Sequence, residues 1–243
     1  MKVWYMMNDT QLSQYLAKKI ITPLRFADRV WLADALGALY CPDEDLLLVS
    51  DLHFGKGSYL KLHGSPIPCY DTHKTLAMLT ELIHRYRPQT CVCLGDSFHD
   101  LGAGQRFSSS EVEQLNTLVG QVPQWIWVLG NHDPAIPDGI RGKSIAHWQL
   151  GECLLTHEPE NISHFGCTAQ IIGHFHPKAT CTVKRHSMTG KVFLLDTTCL
   201  IMPSLGAFTG GLDADDPAFL SLFAASPQQL LCYQNKIYPI KQA

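Results

Sequence analysis

The 243-residue sequence has no long hydrophobic run, and nothing in it approaches the roughly 18 apolar residues that a membrane span requires. A transmembrane role is therefore not expected. It also lacks an excess of positive charge. A formal net charge of −3 supplies no global field to draw in a polyanion, so clamping of a long duplex is disfavoured and only local basic grooves remain. Internal repeats and low-complexity linkers are missing, which excludes a solenoid or a string of tethered modules. A disulfide framework is missing as well. Nine cysteines is an odd count. Cys91 and Cys93 have no second pair at zinc spacing, so a structural zinc is rejected. With no signal peptide, the expected location is a reducing cytoplasm.

What is present is enough apolar material, 46% of residues, to fill a substantial core. We read 1–243 as a single domain, with 1–30 as a divergent N-terminal extension. Asn8 to Ile21 reads as a capped helix that Pro23 stops. Trp31 to Tyr40 reads as a strand or hairpin arm, and Leu46 to Ser50 as a strand buried on both faces. Asp71 to Tyr86 is amphipathic and helical. Thr90 to Leu94 is a buried strand in which Cys91 and Cys93 face one core. Ser109 to Val119 is a helix with a serine cap, and Trp125 to Leu129 a strand. Later segments are strand-rich: 152–155, 169–172, 179–184, 192–195 and 230–233. Strand–helix–strand units followed by strands predict an α/β sandwich.

Five short motifs follow one another: Asp51-Leu52-His53, Gly95-Asp96-Ser97-Phe98-His99, Gly130-Asn131-His132-Asp133, Thr156-His157-Glu158 and Gly173-His174-Phe175-His176. They mix carboxylate and amide oxygens with imidazole nitrogens and contain no cysteine. That donor set suits Mn²⁺, Fe or Zn²⁺ in an open catalytic centre. The first three motifs follow predicted strands, where loops converge over a sheet edge. Alternation along the chain is expected to put Asp51 and His53 on one side, and to set His174 and His176 around a buried Phe175. Gly95 and Gly130 are expected in tight turns with positive φ.

The order, spacing and glycines of these motifs resemble the calcineurin-like metallophosphoesterases. The resemblance implies an α/β fold of two packed sheets flanked by helices, and two divalent metal ions, with manganese expected and iron or zinc as alternatives. It implies Asp51, His53 and His176 as ligands of one ion, Asn131, His157 and His174 as ligands of the other, and Asp96 as the bridge. A metal-bridging hydroxide would attack phosphorus in line. His132 would contact the phosphate and protonate the leaving oxygen, and His99 would orient His132. A histidine at position 99 is similar to the DNA-processing nuclease branch.

A narrower likeness rests on Asp51-Leu52-His53-Phe54-Gly55-Lys56, His63-Gly64-Ser65-Pro66-Ile67-Pro68, Tyr70-Asp71-Thr72, Leu94 to His99, and Pro203 to Gly211. These stretches resemble the DNA-ligase-associated metallophosphoesterases. That likeness implies a Mn²⁺-dependent phosphodiesterase able to act as a DNA endonuclease, and a functional association with a ligase and helicase repair system. Lys61 stands where relatives are expected to carry arginine.

The expected function is thus phosphodiester hydrolysis, with single-stranded DNA as partner. Hydrolysis of small nucleotides and a non-catalytic scaffold of the same fold are the alternatives. Lys56 and Lys61 are the expected substrate-binding residues. Arg106, Arg141, Lys143, Lys178, Lys184 and Arg185 are further candidates for a phosphate track. Phe54 and Tyr59 are weighed as base-stacking residues against plain packing. Asp100 and Asp133 are expected to hold imidazole N–H groups, and Glu158 to cap a turn. His63, His73, His84, His147, His164 and His186 are read as surface or core residues.

Overall fold

The computed structural model describes residues 7–64, 70–183 and 185–240. Ser65, Pro66, Ile67 and Pro68 of the narrower resemblance, and Lys184, lie outside them. The chain opens with α1 (Asp9–Ala17) and then builds a sheet from β1 (Ile21–Phe26), β2 (Arg29–Asp34), β3 (Leu39–Cys41), β4 (Leu46–Val49), β5 (Thr90–Leu94), β6 (Gln124–Val128) and β7 (Lys143–Ile145). These strands stand in sequence order, antiparallel from β1 to β4 and parallel from β4 to β7. The parallel connections carry α2 (Lys56–Leu62), α3 (Asp71–Tyr86), α4 (Ala103–Arg106) and α5 (Ser109–Val119).

A second sheet follows, built from β8 (Trp148–Leu150), β9 (Cys153–Thr156), β10 (Ala169–Ile172), β11 (Lys178–Val183), β12 (His186–Leu195), β13 (Cys199–Ile201), β14 (Gln228–Tyr233) and β15 (Lys236–Ile240). Its order is β15-β14-β12-β13-β10-β9-β8, with β11 paired to β12. A short α6 (Pro217–Leu220) lies between β13 and β14. The expected α/β sandwich is the observed architecture. No helix among the described residues is long and apolar enough to cross a membrane.

Strand alternation sorts the core into layers. In β5, Val92 and Leu94 face the second sheet, where they meet Leu155, Ile171, Phe193 and Leu200. Cys91 and Cys93 face the other way, onto Leu79 and Leu82 of α3 and Leu115 and Leu118 of α5. Every cysteine among the described residues is free. A third cluster covers the outer face of the second sheet through Val192, Leu194, Ile201 and Phe223. Each fully buried leucine in these layers contributes about 1.5–3 kcal/mol.

Several expectations are corrected. The N-terminal helix ends at Ala17 rather than Ile21, and Pro23 lies within β1. An edge strand tolerates proline because one row of its N–H groups faces away from the ladder. Of residues 1–30, expected as an extension, 21–26 join the sheet, where β1 pairs with β2 over its whole length. Trp31 to Tyr40 contains two strands, β2 and β3, with a reversal at Gly37 (φ +99°). By contrast, α3, β5, α5 and β10 begin and end where the pattern puts them. Helix α5 opens with a reciprocal capping box between Ser108 and Glu111.

A buried charge network ties α3 to the first sheet. Asp34 is fully buried. It accepts hydrogen bonds from the Arg85 guanidinium, the Tyr86 hydroxyl (2.7 Å) and the Leu36 amide (2.9 Å). Removing one side of such a pair strands the other charge. Asp34→Ala should lower the unfolding free energy by about 3–5 kcal/mol, read from urea denaturation. A loss under 1 kcal/mol would show that water or a neighbour replaces the carboxylate.

Candidate metal centre

All five motifs stand at the C-terminal ends of strands: β4, β5, β6, β9 and β10. The first two loops continue the sheet ladder beyond the strands. His53 donates its amide to the Asp96 carbonyl (2.9 Å) and Phe54 to that of Ser97 (2.9 Å). The N-terminus of α3 holds the same loop from the other side. Asp71 accepts the Gly57 amide at 2.8 Å and Thr72 the Gly55 amide at 3.1 Å.

Strand alternation is not what aims the side chains. Asp51 (φ 53°), His53 (46°), Asp96 (47°), His174 (70°) and His176 (50°) are all left-handed. The loops fold back after each strand, which brings each pair of ligand candidates round to one side. Phe175 is only partly buried. Gly95 has the expected positive φ of 68°, and a side chain there would collide with the His157 ring. Gly130 does not have a positive φ. It is required because a Cβ would strike Asp96 and come within 2.9 Å of Asp133 Oδ1.

The side chains form two adjoining groups. In the first, His176 Nε2 lies 2.8 Å from Asp51 Oδ1 and 3.2 Å from His53 Nε2. In the second, His157 Nε2 lies 3.1 Å from Asn131 Oδ1, 3.3 Å from His174 Nδ1 and 3.3 Å from Asp96 Oδ1. Asp96 stands between them, its Oδ2 3.8 Å from His53 Nε2. Asp51 and Asp96 are buried, and their ion-pair partners among the described residues are all histidines.

These residues fit a bound cation. His157 Nδ1 is 3.0 Å from the Leu94 carbonyl, so in the neutral ring it carries the proton and Nε2 presents a lone pair. That lone pair faces oxygens of Asn131 and Asp96 that have no proton to give. Acceptors this close repel unless positive charge sits among them. Without a cation, a proton supplies that charge: burial lowers the pKa of His157, but Asp96 and Asp51 outweigh burial and pull it up to about 9, so a metal binding at Nε2 would displace a proton. His53 behaves oppositely. Burial, against the pull of Asp51, holds it down to about 3, so it is neutral and competent as a ligand. Burial opposes ionisation of Asp51, yet His176 and the neighbouring imidazoles keep its carboxyl below the usual range. Asp96 is likewise held low, chiefly by His157 against burial.

His132 is on the surface side of the centre, with its side chain 43% exposed. Its amide donates to Asp96 Oδ1 at 3.0 Å, and its Nδ1 lies 2.9 Å from the His99 carbonyl. The backbone of His99, rather than its imidazole, therefore orients His132. The His99 ring stacks beside the His132 ring at 5.4 Å. Burial, Lys56 and His132 together hold His99 down to about 4.

Asp100 and Asp133 do not hold imidazoles. Asp100 accepts from Arg106 (2.8 Å). Asp133 accepts the amides of Asp96, Ser97, Phe98 and Gly130 at 2.7–3.1 Å, stitching the second motif to the third. Glu158 Oε1 approaches His174 Nε2 at 3.9 Å. Phe54 is fully buried against Phe98 and Phe107, so it packs and cannot stack a base. Arg141 and Lys143 are not at the centre. Lys143 pairs with Ile126, two residues back along β6 from Val128, and the Arg141 amide is held by Asn116 of α5. The spacing missed Ser50, whose Oγ donates to Asp51 Oδ2 at 2.5 Å and also meets the Leu94 carbonyl. A hydroxyl just before the first motif aspartate was the available signal.

The family model of calcineurin-like phosphoesterases matches residues 45–165. A search of curated proteins finds no match. Among solved structures, the nuclease MPE of Pseudomonas putida superposes with a TM-score of 0.72 at 24% identity, over 90% of this chain and 100% of that one. A protein of unknown function from Aquifex aeolicus gives a TM-score of 0.38 at 19% identity, over 54% of this chain and 78% of its own. A Vps29 mutant from Entamoeba histolytica gives 0.38 at 15%, over 80% and 96%. The chain belongs to the calcineurin-like phosphoesterases. Its candidate ligands include Asp51, His53, Asp96, His157 and His176, the donor set of a metal-dependent hydrolase.

Asp133→Ala should leave several buried amides without a partner, at a cost of about 1–3 kcal/mol for each one that water cannot reach. Metal content after dialysis against Mn²⁺ should fall with stability, because Asp96 and Asn131 lose their common anchor. Normal stability with full metal content would show that the anchor is dispensable.

Proposed function

We propose that this protein is a binuclear phosphodiesterase acting as an endonuclease on single-stranded DNA. One observation carries the choice of a polymeric substrate: the centre is open. Asn131 and His132 are exposed, while Asp51, Asp96 and His157 form a buried floor. A walled pocket would suit a small nucleotide better, and an open floor admits a strand that continues in both directions. The Pseudomonas putida protein that shares the fold is called a nuclease, in keeping with this reading.

In this reading Asp51, His53 and His176 hold one ion, Asn131, His157 and His174 hold the other, and Asp96 faces both. Divalent ions held there supply Lewis acidity, polarising the phosphoryl group and acidifying water. The chain supplies the rest. Asp133 and the α3 N-terminus fix the ligand loops before substrate arrives. Nδ1–H of His132 donates to the His99 carbonyl, which leaves Nε2 free to face the departing oxygen, and from the imidazolium form Nε2 gives its proton there, leaving a neutral ring. Lys56, half-buried beside the centre, adds positive charge for the phosphate. The ligase and helicase association implied by the narrower resemblance belongs to the same proposal, as does manganese as the working ion.

With Mn²⁺, purified protein should nick circular single-stranded DNA, attack intact duplex more slowly, and be silenced by chelator. Rapid turnover of a small nucleotide with the circle left intact would replace this reading with the small-molecule one. Asp96→Ala should lose both ions in metal analysis, and full occupancy in that variant would end the bridging assignment. His132→Ala should lose about 10²–10⁴-fold on DNA, and much less on an activated aryl diester that needs no general acid. Equal losses on both would point to phosphate binding instead.

A further inference from the structure

Beside the metal centre lies a cavity of ≈ 630 Å³, walled by α2, α3, α4 and α5. It is large enough for a nucleoside. Its lining divides by chemistry. Lys61 and Arg106 are cationic, Leu62 and Phe107 apolar, and Asp71 and Glu111 acidic. A simple anion would be repelled by the two carboxylates. A purely apolar ligand would make no use of Lys61, nor of the Asp71 and Glu111 oxygens that the Gly57 amide and the Ser108 cap leave over. A nucleotide matches all three kinds of wall, with phosphate at the cations, ring faces on the apolar side chains and exocyclic amino groups on the carboxylates.

The cavity is joined to the reacting end by an unbroken line of stacked groups. His132 stacks on His99 (5.4 Å), the His99 ring meets Tyr59 edge-on (4.7 Å), and Arg106 lies over Tyr59 (5.8 Å). Arg106 is held in place before any ligand arrives, by Asp100 (2.8 Å) and Ser58 (3.1 Å). Leu62, Tyr70 and Leu101 are 66–72% exposed, and they stand at the end of α2, the start of α3 and just before α4. Of these, Leu62 lines the cavity, so apolar surface is left uncovered at its wall.

We propose that the cavity is a nucleoside subsite for the leaving-group side of the strand, with Arg106 and Lys61 taking its phosphate. The polarity follows from His132, the proton donor to the leaving oxygen, which begins the line that ends at Arg106. This inference rests on the nuclease reading above. It adds a direction to the substrate and a preference for bases that carry an amino group.

The test uses full-length protein with Mn²⁺ and short single-stranded oligonucleotides. An abasic unit is placed in turn at each of the first three positions on either side of the cleaved bond. An abasic unit at one leaving-group-side position should raise KM about tenfold, the scale of one lost base-stacking contact. The same unit on the other side should matter less. Thymidine at the sensitive position should bind more weakly than deoxycytidine or deoxyadenosine. In Arg106→Gln the penalty for the abasic unit should shrink, and turnover of an aryl diester should report whether the centre is still assembled. Equal KM for abasic and intact strands in the wild-type protein would overturn the subsite. Failure to cut any oligonucleotide while hydrolysing the aryl diester would instead overturn the nuclease reading on which it rests.

Discussion

Five side chains of the centre, Asp51, His53, Asp96, His174 and His176, project from left-handed backbone. For residues other than glycine this conformation costs roughly 1 kcal/mol or more each, and it persists only where surroundings over-determine it. Here they do. Ladder bonds between the first two loops, the four amides gathered by Asp133 and the clamp from Asp71 and Thr72 leave the loops no alternative path. Two buried carboxylates then face imidazoles and an amide rather than lysine or arginine. The fold has gathered carboxylate, amide and imidazole donors at one point, the set that a divalent cation would fit.

That pocket depends on two sheets being held at a fixed offset. The first sheet brings Asp51, Asp96 and Asn131, and the second brings His157, His174 and His176. Neither sheet carries a full set. Packing of Val92, Leu94, Ile126 and Val128 on Leu155, Ile171, Phe193 and Leu200 is therefore also what sets the distances among ligands. Dense packing of this kind tolerates little sliding, so a change deep between the sheets would be felt at the centre.

The elements most legible in the sequence were those with one strong physical driver. Helix α3 has apolar residues on one face and a proline after its end, and β5 alternates between two cores, so both were readable to the residue. Strands β1, β7, β8, β13 and β15 were not seen. They are short or half-exposed, and their pairing comes from a neighbour distant in sequence. Pro23 misled for the same reason: nothing local reveals that its strand is an edge.

The candidate donors were legible in the sequence, because oxygen and nitrogen side chains in ordered motifs with glycines leave few other uses, and five of them, Asp51, His53, Asp96, His157 and His176, come together in the fold. The sequence could not decide how those side chains are aimed, since alternation was the only local rule and the loops break it with left-handed turns. Nor could it tell that Asp133 gathers amides, that the backbone of His99 orients His132, or that Arg141 and Lys143 lie away from the centre. Those facts depend on which loop meets which across the sheet edge. Only the packing of the two sheets fixes that.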